Sequence, residues 1–286
     1  MAVPKILYKY LSAKGFQRFW DSEKVRFTQL NQLNDPYENQ FLFSNLDLDF
    51  DTNELENILV KIAKVSSEYR DMLKHYKEMT QKKIVEHCEK YQNQINNKYG
   101  ILSLTRNCTN LLIWSHYADE YKGVVIGLDM DHEFFKNTNF VIPPSSGNII
   151  YSAIKPIDNI IQTTKYTVKE NGKDLKIEIG SPDLESKVYQ EFVFLYKSIN
   201  WAYEEEVRIV IDYAKHHDIE VVKNNIKLLQ IPKNAIKCLI FGDRFDRTEF
   251  EQIANKSISN KEGIDFIKTS IDKNEYKLNF NKYTPN

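Results

Sequence analysis

Between Glu205 and Ile211 the chain commits itself to a β-strand with two unequal faces. Val207, Ile209 and Ile211 fall on one side at period two, and Glu206, Arg208 and Val210 fall on the other. Three consecutive carboxylates, Glu204, Glu205 and Glu206, lead into it from Trp201-Ala202-Tyr203. With Val207, Ile209 and Ile211 in a core, Glu204 and Glu206 line the opposite surface beside Arg208, and Glu205 shares the apolar face. Such a strand needs a sheet around it and either solvent or a use for its acids, because burying an unpaired carboxylate is costly. Two carboxylates at i and i+2 lie roughly 7 Å apart along a strand. That spacing suits proton transfer and oxocarbenium stabilisation on one substrate. It equally suits a solvated strand edge on which Glu206 pairs with Arg208 or another base.

The rest of the chain supplies partners for that strand. Ile6–Leu11, Val25–Thr28, Gly100–Thr105, Val124–Asp129, Ile149–Ser152 and residues 191–199 read as strands. Lys14–Asp21 reads as a short helix with Phe16, Phe19 and Trp20 inward. Asn110 is placed to cap a helix running to about Tyr121, with Gly123 at its C′ position. Ile236–Phe241, Phe245–Ser257 and Asp265–Ser270 form a strand–helix–strand pattern, expected as a right-handed crossover. Tyr276, Leu278 and Phe280 suggest a final edge strand. Residues 51–98 carry apolar side chains at helical spacing and predict two or three amphipathic helices. Residues 154–190 are polar and predict a helix with loops. The expected fold is α+β: a central mixed β-sheet, whole or split, with flanking helices. It forms a single domain over residues 1–286, with a helical insertion at about 51–98 and a variable segment at about 154–190.

Composition narrows the function classes. The 286 residues are long enough to bury a core without disulfides or metals, and 39 Lys+Arg against 40 Asp+Glu leave a net charge of −1. Overall charge therefore argues against a strongly basic nucleic-acid binder. Nine glycines make a glycine-rich phosphate loop a poor expectation. Cys88, Cys108 and Cys238 are too widely spaced for a disulfide framework or a zinc knuckle. His216 and His217 are adjacent and read as surface residues, so no metal is expected. No apolar run approaches the ~18 residues that span a bilayer, and none near the N-terminus resembles a signal peptide. The expectation is a cytoplasmic protein without a membrane partner.

Three further polar clusters stand out. Asn34-Asp35-Pro36-Tyr37-Glu38 is either a rigid loop presenting an amide and carboxylates to a ligand, or a turn in which Asn34 or Asp35 bonds its own backbone. Trp114-Ser115-His116-Tyr117-Ala118-Asp119 puts His116 near Asp119 and Glu120. It is a candidate general base or a hydrogen-bonded structural histidine, with Trp114 in the core. Tyr8-Lys9-Tyr10 and Ser103-Leu104-Thr105 are short strands with polar groups on one face, Lys9 pointing away from both tyrosines. A metal-dependent nuclease built on Asp35, Glu38, Glu204 and Glu206 is a third class, weakened by the neutral charge.

Taken in order, these motifs resemble a large bacterial family, domain of unknown function 2971. The resemblance runs from about residue 6 to 245 and also takes in Lys122-Gly123-Val124-Val125-Ile126-Gly127, Lys197 and Ile240-Phe241-Gly242. It names a family and implies no particular reaction, although association with phage defence is part of that context. A second resemblance is to ADP-ribosyltransferases, whose split sheet carries three polar signatures in order. Tyr8-Lys9-Tyr10, Ser103-Leu104-Thr105 and Glu204-Glu205-Glu206 follow that order, without the usual Arg or His on the first strand. This resemblance implies NAD as substrate. Glu206 would then stabilise the oxocarbenium-like transition state, and Glu204 would orient or deprotonate an acceptor. Ser103 would hold Glu206, while Tyr8 or Lys9 would contact the dinucleotide. Thr105, Asn34, Asp35 and Glu38 join the expected cofactor-binding set, and His116 joins Glu204 and Glu206 as catalytic. The implied role is a toxin or phage-defence effector with a nucleic-acid or protein acceptor and an antitoxin or defence partner. The alternative is a non-enzymatic module that senses a ligand or a phage protein.

Overall fold

The computed structural model describes residues 4–38, 82, 85–86, 89–136, 139–155, 162–170, 173–181, 183–259 and 263–283. Most of the expected helical insertion at 51–98 lies outside these residues; within them, 89–98 are helical and bury Ile95.

The fold is α+β. The strands are β1 (Ile6–Leu11), β2 (Lys24–Phe27), β3 (Tyr99–Thr105), β4 (Val124–Asp129), β5 (Phe140–Ile142) and β6 (Ile150–Ser152). They continue as β7 (Gln162–Glu170), β8 (Lys173–Ser181), β9 (Tyr196–Ser198), β10 (Glu206–Asp212), β11 (Glu220–Val222) and β12 (Ile226–Gln230). The last three are β13 (Ile236–Phe241), β14 (Asp265–Ile271) and β15 (Leu278–Lys282). Helices α1 (Ala13–Ser22), α2 (Leu111–Tyr117), α3 (Lys187–Leu195) and α4 (Arg247–Ser259) flank them. Eight strands make one mixed sheet in the order β15-β14-β13-β4-β1-β3-β10-β5. A three-stranded sheet, β11-β12-β2, sits beside it, joined by the bridge Thr28–Ile101. The expected strand–helix–strand unit is present, with β13 and β14 parallel across α4. β15 closes that edge antiparallel to β14, and Tyr276 stays outside it, fully exposed.

Strand β10 is buried on both faces. Val207, Ile209 and Ile211 enter the main core with Leu102, Leu104 and Ile126. Val210, on the other side, joins a second cluster with Ile101, Phe194 and Leu195. A third cluster packs Tyr10 edge-on to Trp114, ring centres 5.3 Å apart, against Ile113 and Ile240.

Three expectations need correction. Residues 154–190 are not a helix with loops: β7 and β8 pair antiparallel from Gln162–Ser181 to Glu170–Lys173. Thr, Tyr, Val and Ile alternate along these strands, and Asn171-Gly172 between them is the residue pair that a two-residue hairpin turn favours. Residues 191–199 are not one strand, since α3 ends at Leu195 and only Tyr196–Ser198 are extended. A continuous apolar run such as Phe192-Val193-Phe194-Leu195 carries no period that separates helix from strand. The Asn110 cap is real, its side chain accepting from the Leu112 and Ile113 amides, but the helix stops at Tyr117 rather than Tyr121. Asp119, Glu120 and Tyr121 then take positive φ, which returns the Tyr121 ring onto Trp114.

Gly123 is required for a different reason from the one its position suggested. A Cβ there would collide with the Leu11 carbonyl oxygen and lie 2.8 Å from that of Ala118. Gly123→Ala is therefore expected to lower stability by about 1–3 kcal/mol through overpacking against backbone. Chemical denaturation with an unchanged m-value checks it, and a neutral result would mean that β1 and the turn can separate freely.

Candidate functional site

Antiparallel pairing sets Tyr8 opposite Thr105 on β3, and sets Thr105 and Ser103 opposite Glu206 and Arg208 on β10. The three strands with polar signatures are thus neighbours, in the order β1-β3-β10. Over them lies a cavity of about 210 Å³ whose walls include Tyr8, Lys9, Asn34, Ser103, Tyr117 and Glu206. Glu204, Lys197, Arg208 and Thr105 also contribute to it.

Glu204 does not reach this cavity as a residue of the strand. It closes a 3₁₀ turn, Ile199–Glu204, and Glu205 follows with a left-handed φ of 46°. That kink sends Glu205 outward, where its Oε1 accepts from Asn107 Nδ2 at 2.9 Å. It brings Glu204 and Glu206 to one ammonium: Lys197 Nζ lies 2.7 Å from Glu204 Oε2 and 3.1 Å from Glu206 Oε2. Thr105 holds the turn, its hydroxyl donating to the Glu204 carbonyl at 2.6 Å.

Arg208 completes the cluster. Its Nε donates to Glu206 Oε1 at 2.8 Å, Nη2 donates to Glu206 Oε2 at 3.1 Å, and Nη1 donates to the Phe194 carbonyl at 2.8 Å. Nη2 also pairs with Glu38 Oε2, and Glu38 Oε1 lies 3.6 Å from Lys197 Nζ. Arg208 is 0% exposed, and Glu38, Lys197, Glu204 and Glu206 are all buried. The expected Glu206–Arg208 pair is therefore present, but on a buried surface rather than a solvated edge.

Electrostatics follow from this packing. Burial pushes the Glu206 carboxyl up, but the Arg208 and Lys197 charges, with help from the Ser103 hydroxyl, overcome it and hold the pKa down to about 2. Glu38 goes the other way: burial, reinforced by Glu206, lifts it despite the same two cations. Burial holds Lys9 down to about 8, with Arg26 adding to the effect and Glu206 opposing it. Its Nζ donates to the Ser103 carbonyl at 2.9 Å, bridging β1 and β3.

Two aromatic hydroxyls hold Glu204 and Glu206, one at the carboxylate and one at the backbone. Tyr117 donates to Glu204 Oε1 at 2.6 Å and accepts from Asn34 Nδ2 at 2.5 Å. Tyr151 OH accepts from the Glu206 amide at 2.8 Å. His116 does not join them. It is exposed on the outer side of α2, with Nδ1 3.3 Å from Tyr203 OH and its ring edge-on to Tyr117 and Tyr203. Asp35 makes the self-capping turn, Oδ1 accepting from the Tyr37 amide at 3.0 Å. Asp35 and Glu38 face a second cavity that shares only Lys197 with the first.

The sequence suggests no role for Lys197, Tyr117 or Tyr151: the two tyrosines come from elements remote from β10, and Lys197 reaches the carboxylates because the turn Ile199–Glu204 folds the chain back on itself. Among the described residues no group of three or more His, Cys, Asp or Glu side chains is arranged to hold a metal ion. Glu38, Glu204 and Glu206 are instead spanned by the cations of Lys197 and Arg208. Of the two histidines expected at the surface, His217 is exposed, while His216 is half-buried with its ring stacked on Phe140. No helix of the described residues is long and apolar enough to cross a membrane.

Residues 113–209 match the model of a family described as protein of unknown function (DUF2971). The matched stretch includes Tyr117, Tyr151, Lys197, Glu204, Glu206 and Arg208, most of the cluster just described. No curated protein and no solved structure matches the chain.

Proposed function

We propose that the cavity over β1, β3 and β10 receives the nicotinamide–ribose end of NAD, and that the protein is an ADP-ribosyltransferase-like enzyme. The observation that carries this reading is adjacency: Lys9, Ser103 and Glu206, one from each signature strand, line one cavity together with Glu204. At about 210 Å³ it is smaller than the ~300–1,000 Å³ typical of pockets that enclose a whole ligand. Only a ring and its sugar enter, and the rest of the dinucleotide lies outside.

Glu206, held ionised, is suited to accept from a ribose hydroxyl and to stabilise positive charge on the sugar; it is not suited to act as an acid. The ribose–nicotinamide C–N bond breaks and nicotinamide departs with the bonding pair. An acceptor oxygen or nitrogen then bonds to the same carbon, passing its proton to Glu204. The acceptor is a nucleic acid or a protein, and a toxic or defensive role with an antitoxin partner accompanies this reading.

A second reading has its own observation. Glu204 and Glu206 are already paired with Lys197 and Arg208, as a purely structural cluster requires, and the cavity is then that of a sensing module. Nicotinamide release from NAD separates the two. The wild-type protein is expected to release it, and Glu206→Gln to release it about 100- to 1,000-fold more slowly. Ser103→Tyr, which fills the cavity and keeps every charge, should also abolish release. Urea melts confirm that both variants fold. A wild-type protein that does not bind NAD would overturn the enzymatic reading.

A further inference from the structure

The turn Asn34–Glu38 faces two ways. Asn34 lines the cavity over β1 and β3, whereas Asp35, Tyr37 and Glu38 line the second cavity, of about 390 Å³. That volume lies in the small-molecule range. Phe192 on α3 and Tyr196 on β9 form one wall, their ring centres 6.2 Å apart, and Ala153 and Lys155 form an exposed rim.

Asp35 is the unusual group here. It is 3% exposed, and among the described residues its Oδ2 is buried without a hydrogen-bond partner. Buried carboxylate oxygens are normally satisfied, so this one marks a place for a donor. Charge is not what is missing. Lys155, whose ammonium sits 5.5 Å from the Tyr37 ring centre, already interacts electrostatically with Asp35. A second cation would be repelled by Lys155, whereas a neutral N–H on a flat ring meets both the acceptor and the aromatic wall.

We infer that this cavity binds an aminopurine, its exocyclic amino group donating to Asp35 Oδ2 and its ring lying against Phe192 and Tyr196. The inference rests on residues other than those proposed for sugar chemistry and does not need that chemistry. The same base reaches the cavity from a free nucleoside or as the adenine end of a dinucleotide.

Calorimetric titration of the full chain with adenosine, inosine and NAD tests it. Adenosine is expected to bind at least about tenfold more tightly than inosine, which has an oxygen in place of the amino group. Asp35→Asn, which sets an N–H donor among the acceptors, should erase that preference. Ala153→Trp, at an exposed rim position where folding is undisturbed, should block both ligands. Adenosine matching NAD identifies a free nucleoside as the ligand, and NAD binding far more tightly identifies the dinucleotide. The inference fails if adenosine does not bind, if inosine binds equally well, or if adenosine binds Ala153→Trp as it binds the wild type. The last outcome would assign any nucleoside binding to another cavity.

Discussion

Arg208→Ala is expected to lower folding stability by about 3–5 kcal/mol, a large fraction of the ~5–15 kcal/mol that stabilises a typical domain. The guanidinium is fully buried, holds both oxygens of Glu206, pairs with Glu38 and satisfies the Phe194 carbonyl. Removing it leaves two buried carboxylates short of a cation and one carbonyl without a donor. Arg208→Lys should rescue little, because an ammonium cannot reproduce the planar fork that holds Glu206 at two points. A triple variant, Arg208→Met with Glu206→Gln and Glu38→Gln, should regain most of the loss, since it removes Arg208 together with both of its carboxylate partners and leaves Lys197 paired with Glu204. Urea midpoints of the three proteins decide the matter. A loss below about 1 kcal/mol for Arg208→Ala would show that the cluster is solvated, as exposed pairs are.

Lys197→Met should cost about 3–5 kcal/mol near neutral pH and much less in acid. Among the described residues the ammonium is the one group that contacts Glu38, Glu204 and Glu206 together. Without it, Glu206 rises from about 2 and Glu38 rises further above the ordinary range. A carboxyl whose folded pKa exceeds its unfolded value stabilises the protein below the unfolded value, and that contribution is lost as pH climbs through the folded one. The variant is therefore weakest at neutral and alkaline pH. In the native protein Glu206 works in the opposite sense: its contribution is present above the unfolded value, near 4.3, and is lost as pH falls toward 2. The stability difference between the two proteins should narrow steadily as pH drops through the ordinary Glu range. A difference that stays constant from pH 8 to pH 4 would mean that Lys197 acts through something other than its carboxylate pairs, for instance the cation–π contact of its ammonium with the Trp201 ring, 5.0 Å from the ring centre.

Period and punctuation carried much of the fold. β1, β3, β4, β10 and β13 each show an apolar pattern of the right length, and the structure places them within about two residues of their expected ends. The β7–β8 pair was not legible, because charged residues interrupt the alternation of its β-formers. The switch from α3 to β9 was not legible, because a short continuous apolar run reads the same in either conformation.

For the site, strand register did what sequence spacing could not. The residues along the chain specify that Glu206 and Arg208 share a face, that Asp35 caps its own turn and that Asn110 starts a helix, since each depends only on neighbours within a few positions. That Lys9, Ser103 and Glu206 line one cavity depends on β1, β3 and β10 lying side by side across almost two hundred residues. The sequence leaves the carboxylates facing either a substrate or bulk solvent; in the fold they are buried at the wall of a cavity, because β5, the 147–149 segment and α3 cover β10 from outside. Burial decides whether an acid is a solvated charge, a fixed anion or an acceptor awaiting a donor. Burial is a sum over contacts from the whole chain, so it is settled only when the tertiary structure closes.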